Sequence, residues 1–220
     1  YELLAIDDGS HDGSGERVRL RARRDPRIRW VQPGRIGLVN ALNLGVRLAR
    51  APLIARIDAD DTMHPERLAA QWRFMQDHPG FALCGCRVAL IPATRTQSGF
   101  GHYVTWQNRC ATPRAIADAI YIESPIAHPS FCFQRHRILQ WGGYRAGPFP
   151  EDYELLLRLR HHGESLAKLG AVLIHWRDSE QRLTRRDERY NRAAFDRTRA
   201  HYLARDPRLR TRPLAYWGAR

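Results

Sequence analysis

Two short apolar runs, each broken off by a cluster of acids, constrain this chain more than any other feature. Glu2–Ile6 runs directly into Asp7-Asp8-Gly9-Ser10, and Leu53–Ile57 runs into Asp58-Ala59-Asp60-Asp61. A brief apolar stretch closed by turn-forming residues predicts a buried strand. Between them, Ile28–Val31 predicts another strand, closed by Pro33-Gly34. Gly37–Arg50 predicts a helix: Leu38, Ala41, Leu42, Gly45, Leu48 and Ala49 share one face, and Pro52 stops it. This strand–helix alternation predicts an α/β fold with a mostly parallel central sheet flanked by helices. In such a sheet the carboxyl ends of the strands line the ligand crevice, so the two acidic clusters converge at one edge.

The rest of the chain is less regular. A helix is expected from Thr62 or His64, with Pro65 in its first turn, Pro79 beyond its end, and Leu68, Trp72 and Met75 facing inward. Phe81–Ile91 predicts one or two strands, Ser98–Arg109 a loop or short hairpin, and Pro113–Ile122 a helix. Pro129–Phe133 is expected as a strand, Arg135–Trp141 as a helical turn, Glu151–His162 as an amphipathic helix and Ala171–His175 as a late strand. A long Arg-rich helix is expected from Arg186 to Arg205, ended by Pro207.

Carboxylates gathered at one edge repel one another. The usual relief is a hard divalent cation, Mg²⁺ or Mn²⁺, whose shell is completed by phosphate oxygens. In Asp58-Ala59-Asp60 both side chains point to the same side of an extended chain, so one can reach a cation while the other holds a neighbouring hydroxyl. A third acidic pair, Glu151-Asp152, opens a helix, where the helix dipole favours an ionised carboxylate. Solvated turn and cap residues are the plainer reading of each cluster taken alone.

The four cysteines, Cys84, Cys86, Cys110 and Cys132, match no zinc spacing and read as reduced, buried small hydrophobes of a cytoplasmic protein. No apolar run is long enough for a membrane span. The net charge of +13 is uneven. Residues 1–176 carry 23 basic and 17 acidic side chains, whereas residues 177–220 carry 13 and 6, so over half of the excess lies in the last fifth.

The stretches ELLAIDDGSHDGS (2–14), GRIGLVNALNLGVRLARAPLIARIDADD (34–61), MHPERLAAQ (63–71), SPIAHPSFCFQR (124–135), GGYR (142–145) and PEDYELLLRL (150–159) resemble, in order and spacing, the family-2 glycosyltransferases. These are inverting nucleotide-sugar enzymes of the GT-A fold. The resemblance implies that Asp7 and Asp8 contact the nucleotide, that Asp58 and Asp60 form the DxD motif, that Asp60 ligates the metal, and that Asp58 holds the ribose or the sugar and helps with the metal. It implies Asp152 as general base, with Glu151 beside it. It places Arg177 and the QRLTR stretch (181–185) near the diphosphate. His128 is a candidate for the acceptor side. The implied partners are a nucleotide-sugar donor, UDP- or dTDP-linked, and a glycan, lipid-linked or protein acceptor, with no nucleic acid.

The resemblance also implies an opening strand and helix ahead of residue 1, and it divides the chain into a catalytic domain (1–185) and a C-terminal basic helix and linker (186–220), with 212–220 reading as the start of a further strand. The basic segment suits peripheral contact with an anionic membrane at its inner face. Three alternatives stand beside this reading. Asp58-Ala59-Asp60-Asp61-Thr62 spells the DxDxT of haloacid-dehalogenase-type phosphatases, but the single Lys168 falls in the wrong order for that class. A nucleotidyltransferase shares the α/β pattern. A non-enzymatic basic binding protein would rest on charge alone.

Overall fold

The computed structural model describes residues 1–92, 98–179 and 183–209. Seven strands and nine α-helices follow in chain order among them: β1 (Leu3–Ile6), α1 (Ser14–Ala22), β2 (Ile28–Val31), α2 (Leu38–Leu48), β3 (Leu53–Ala55), β4 (Thr62–Met63), α3 (Arg67–Asp77), β5 (Phe81–Ile91), α4 (Gly99–Arg109), α5 (Pro113–Ala119), β6 (Cys132–Gln134), α6 (Arg135–Gln140), α7 (Glu151–His161), β7 (Ser165–Arg177), α8 (Leu183–Arg186) and α9 (Arg192–Leu203). Short 3-10 turns occupy His128–Ser130 and Glu188–Tyr190.

β1 and β2 form a parallel pair, and a five-stranded sheet runs β3-β6-β5-β7-β4. The two longest pairings, β5 with β7 and β1 with β2, are parallel. The short strands β3, β4 and β6 add antiparallel pairings. β5 is the centre of the sheet, with Ala82 to Cys86 buried in succession, as expected of a strand covered on both faces. α7 is buried nearly all round, through Tyr153, Leu155, Leu156, Leu157 and Leu159. The four cysteines are buried and unpaired. No helix among the described residues is long and apolar enough to cross a membrane.

Several expectations are corrected. The segment Thr62–Met63 is not a helix start but a strand against Ile174 and His175 of β7. α3 does not bury Leu68 and Trp72. Trp72 is 56% exposed, and the inward face is Arg67, Gln71 and Met75, one residue every turn. The polar pair is affordable in the core because every bond is satisfied. Arg67 Nη2 donates to Arg56 O at 2.7 Å and Arg67 Nε to Gln71 Oε1 at 2.9 Å, while Gln71 Nε2 donates to Ser130 O at 2.8 Å.

Residues 99–109 form a helix rather than a loop or hairpin. Ser98 caps it by accepting from Gly101 N at 3.1 Å, and Val104 and Gln107 are buried along it. The long helix expected over 186–205 is interrupted. Asp187 turns the chain by accepting from Arg189 N at 3.0 Å, and Asn191 restarts it by accepting from Ala194 N at 2.8 Å. α9 then buries Ala194, Thr198 and Tyr202.

The described part of the expected C-terminal unit is joined to the body. Tyr202 Oη donates to Glu154 of α7 at 2.5 Å, the Phe195 and Tyr153 rings lie 5.4 Å apart, and Tyr121 Oη donates to Asp206 at 2.7 Å. Residues 212–220 and Gln181 and Arg182 of the QRLTR stretch lie outside the described residues.

Gly85 lets the turn at His128–Ser130 lie directly on β5. A Cβ there would fall 2.2 Å from Ile126 Cγ2 and 2.8 Å from Ser130 Oγ. Both neighbours are themselves buried. Gly85→Ala is therefore expected to cost about 1–3 kcal/mol of stability by overpacking, measured by urea unfolding.

Candidate active site

β3 delivers the second acidic cluster. Its pairing with β6 continues through Arg56 N donating to Phe131 O at 2.8 Å, after which the chain leaves the sheet and turns at Asp58–Asp61, with Asp61 N donating to Asp58 O at 3.2 Å. The turn brings one carboxylate oxygen each of Asp58, Asp60 and Asp61 within 4.8 Å of one another. The three differ in surroundings. Asp58 is half-buried and gripped by the Arg56 guanidinium through both nitrogens, one of them at 2.8 Å. Asp60 is exposed. Asp61 is only 8% exposed, accepts from Arg177 N at 2.7 Å, and keeps its other oxygen buried with no hydrogen-bond partner. Burial, with Asp58 and Asp60 adding to it, pushes the Asp61 carboxyl up to about 6.

A carboxylate oxygen orphaned beside two more carboxylates is the environment of a hard cation, and this donor set fits Mg²⁺ or Mn²⁺. Arg177, at the end of β7, lies on the same turn, with its Nε donating to Asp60 O at 2.9 Å. Asp61 and Arg56 are the members of this group that sequence reasoning left without a role. The doubled acid after the DxD was visible, but its burial depends on where the end of β7 lands.

The third acidic pair opens α7 behind Pro150. Glu151 is 2% exposed. Its Oε2 accepts from Tyr190 Oη at 2.6 Å, and its Oε1 lies 3.9 Å from His128 Nδ1. Asp152 keeps some exposure as a residue and accepts from its neighbour's amide, Tyr153 N, at 2.8 Å. Helix-start logic alone predicts a lowered pKa for Asp152. The structure reverses it: burial first, then the adjacent Glu151 charge, push the carboxyl up to about 7. Burial outweighs the dipole here because the dipole's pull is modest and the desolvation is not.

Tyr144 is buried next to His128. Its hydroxyl is pushed up by burial and further by Asp152, Glu151 and Asp58, against the pull of Arg56, so all four charges act on one phenol. It lies 3.1 Å from His128 Nε2. His128 is buried and held well below the ordinary imidazole value by burial and then Arg56, so it is neutral. The expected acceptor-side His128 thus packs between Tyr144, Phe131 and Glu151. Tyr144 is fixed by Asn43 of α2, whose amide accepts from Tyr144 N at 2.9 Å and donates to Tyr144 O at 2.8 Å. Gly143 makes room for that amide: it has φ +67°, and a Cβ would sit 2.5 Å from Asn43 Oδ1.

The first acidic pair is spent differently. Asp7 accepts from Ser10 N at 2.8 Å, and this bond holds its carboxyl below the usual range. Asp8 accepts from the amides of Ile36 and Gly37 at 2.7 and 3.0 Å, fixing the entry to α2. Among the described residues no hydrogen bond or ion pair joins either acid to Asp58–Asp61.

Residues 1–141 match the family model described as glycosyl transferase family 2. The chain belongs to glycosyl transferase family 2. This family-2 chain is 26% identical over 151 residues to the amylovoran biosynthesis glycosyltransferase AmsE of Erwinia amylovora, covering 69% of this chain and 54% of that protein. It is 29% identical over 139 residues to the O-antigen biosynthesis glycosyltransferase WbnJ of Escherichia coli, covering 62% and 52%. The chain spans about half the length of these curated relatives.

Among solved structures it resembles the mannosyltransferase PcManGT of Pyrobaculum calidifontis, in complex with GDP-Man and Mn²⁺, at 20% identity and a TM-score of 0.59, over 93% of this chain and 53% of that one. It also resembles S. aureus TarS 1-349, in complex with UDP-GlcNAc, at 14% identity and a TM-score of 0.66, over 93% and 63%. Both likenesses are of fold, and the fold is the expected GT-A type.

The raised Asp152 pKa makes a stability prediction. An acid whose folded pKa lies above its ordinary value stabilises the fold at low pH and loses that contribution as pH rises through the folded value. Asp152→Asn is therefore expected to melt with wild type at pH 4, where both carry a neutral group, and above wild type at pH 8. Thermal unfolding at the two pH values checks this.

Proposed function

We propose that this chain is the catalytic part of an inverting glycosyltransferase, which moves a sugar from a nucleoside-diphosphate sugar to an acceptor hydroxyl. One observation carries the reading: carboxylate oxygens of Asp58, Asp60 and Asp61 lie within 4.8 Å of one another, and one oxygen of Asp61 is buried there without a hydrogen-bond partner. Asp60, Asp58 and the buried Asp61 would hold Mg²⁺ or Mn²⁺. When bound, a divalent cation there offsets the negative charge that builds on the diphosphate leaving group. Arg56 balances Asp58 when the trio is without a cation. Arg177, over the same turn, faces the diphosphate, and Asp7 and Asp8 hold the loop against which the nucleotide lies.

The reacting sugar passes through an oxocarbenium-like state, and the acceptor hydroxyl attacks from the face opposite the leaving group. That hydroxyl must lose a proton, and Asp152 takes it. A base whose pKa lies near the operating pH combines a large ionised fraction with real proton affinity. Glu151, turned inward, sets that affinity by its charge. His128 holds the shape of this wall as a neutral imidazole.

The relatives named for amylovoran and O-antigen biosynthesis support a cell-envelope glycan or lipid-linked acceptor. The basic C-terminal segment, with Arg185, Arg186, Arg192, Arg197 and Arg205 exposed, suits peripheral contact with anionic lipid at the inner face of the membrane. The donors in the two resembling structures, GDP-Man and UDP-GlcNAc, support a nucleotide sugar in general and leave UDP, dTDP and GDP as the bases to test.

In the full-length protein, screened against UDP-, dTDP- and GDP-sugars with Mn²⁺, Asp152→Asn is expected to keep donor binding. Transfer should fall by about 10²–10⁴-fold, the usual worth of a general base. Transfer at the wild-type rate would overturn the assignment.

A further inference from the structure

The C-terminal segment reaches back into the candidate active site at one point. We infer that Tyr190, through its hydroxyl bond to Glu151, is a positioning residue for the acidic pair that opens α7. This rests on the reading of Asp152 as the base. Tyr190 lies beyond the 141 residues matched by the family model and outside the expected catalytic domain.

Glu151 is a buried carboxylate with no cation bonded to it among the described residues. His128 Nδ1, at 3.9 Å, is too far for a hydrogen bond. The partner that satisfies it is Tyr190 Oη, at 2.6 Å, the short distance of a phenol donating to a charged oxygen. Burial and the Glu151 charge raise the Tyr190 hydroxyl, so it keeps the proton it donates. Glu151 and Asp152 are adjacent in sequence, and the Glu151 charge makes the Asp152 charge harder to hold. A donor that ties Glu151 toward the C-terminal segment leaves Asp152 alone to meet the acceptor. Without it, Glu151 loses the hydrogen bond that fixes its carboxylate and is free to rotate.

The segment is built to hold that hydroxyl still. Asp187 accepts from Arg189 N at 3.0 Å and pairs with the Arg189 guanidinium at 2.6 Å, which fixes the turn Glu188–Tyr190. Asn191 then caps α9. α9 is held to α7 near its start by the Phe195–Tyr153 contact, and to the loop after α5 by Arg199 donating to Ile122 O, while the Tyr202–Glu154 bond anchors only its far end. Two tyrosines of the segment thus donate to two glutamates of α7 spaced three residues apart. Only the Tyr190 partner adjoins the base, and this makes Tyr202 an internal control.

The test compares Tyr190→Phe, Tyr202→Phe and Asp152→Asn in the full-length protein, by steady-state transfer kinetics with Mn²⁺ and by thermal unfolding. Tyr190→Phe is expected to lower kcat by about 10- to 100-fold while the donor KM stays within about twofold. Tyr202→Phe is expected to lower the melting temperature and leave kcat unchanged. The inference is overturned by a wild-type kcat in Tyr190→Phe, by a change confined to donor KM, or by equal losses of kcat in both tyrosine variants, which would mean that the segment is only structural. Those outcomes, with Asp152→Asn inactive, leave the base assignment standing. An Asp152→Asn variant that transfers normally removes the reading on which the inference rests.

Discussion

Negative charge that the protein itself does not neutralise governs this structure. Three aspartates share one turn with oxygens 4.8 Å apart or closer; Arg56 bonds the Asp58 carboxylate, while the Arg177 side chain reaches only the Asp60 carbonyl. Asp61 keeps a buried oxygen without a partner. Glu151 and Asp152 add a second acidic pair at the start of α7. A fold that collects carboxylates in this way loses stability by doing so, and the loss is explained if a cation and an anionic ligand complete the site together.

The scaffold opposes that repulsion with bonds placed one layer beneath it. Buried Arg67 and Gln71 tie the strand that leads into the aspartate turn to the carbonyls at Ser130 and Phe131, so β3, α3 and the His128 turn move as one piece. The Arg67 charge also lies directly behind the acidic turn, donating to the carbonyl two residues before Asp58. Asn43 does the same for Tyr144 by pairing with its backbone like a neighbouring strand. Gly85 and Gly143 are the points where a side chain would push these pieces apart. The rigid core thus ends where the charge begins.

Much of this was legible beforehand because the informative residues are local. An apolar run closed by Asp-Asp-Gly or Asp-x-Asp-Asp announces a strand and its end, and β1, β2, β3, β5, α2 and α7 fall where the pattern puts them, whereas the strand expected over 129–133 is a 3-10 turn followed by β6 and the one expected over 171–175 starts at Ser165. What failed depends on partners distant in sequence. Trp72 reads as core on hydrophobicity, but its face of α3 meets solvent, and Arg67, which no hydropathy scale buries, takes its place because carbonyls await it. Gly99 and Gly101 disguise a helix that Ser98 caps. A helix start predicts the wrong sign for the Asp152 shift, because the start is visible in sequence and the burial of that carboxyl is not. Tyr190 gave no signal, since a tyrosine in an Arg-rich segment has no pattern that points thirty-nine residues back to Glu151.

The claim that the aspartate turn is completed only by a cation and a diphosphate together is tested most directly by Mn²⁺ binding. Electron paramagnetic resonance would follow free Mn²⁺ as the full-length protein, wild type or Asp60→Ala, is titrated with and without a nucleoside diphosphate. The account predicts weak Mn²⁺ binding by the protein alone, tight binding of a single ion when the nucleotide is present, and loss of that tight binding in Asp60→Ala. Nucleotide binding of equal strength in EDTA, or tight Mn²⁺ binding that survives in Asp60→Ala, would contradict it.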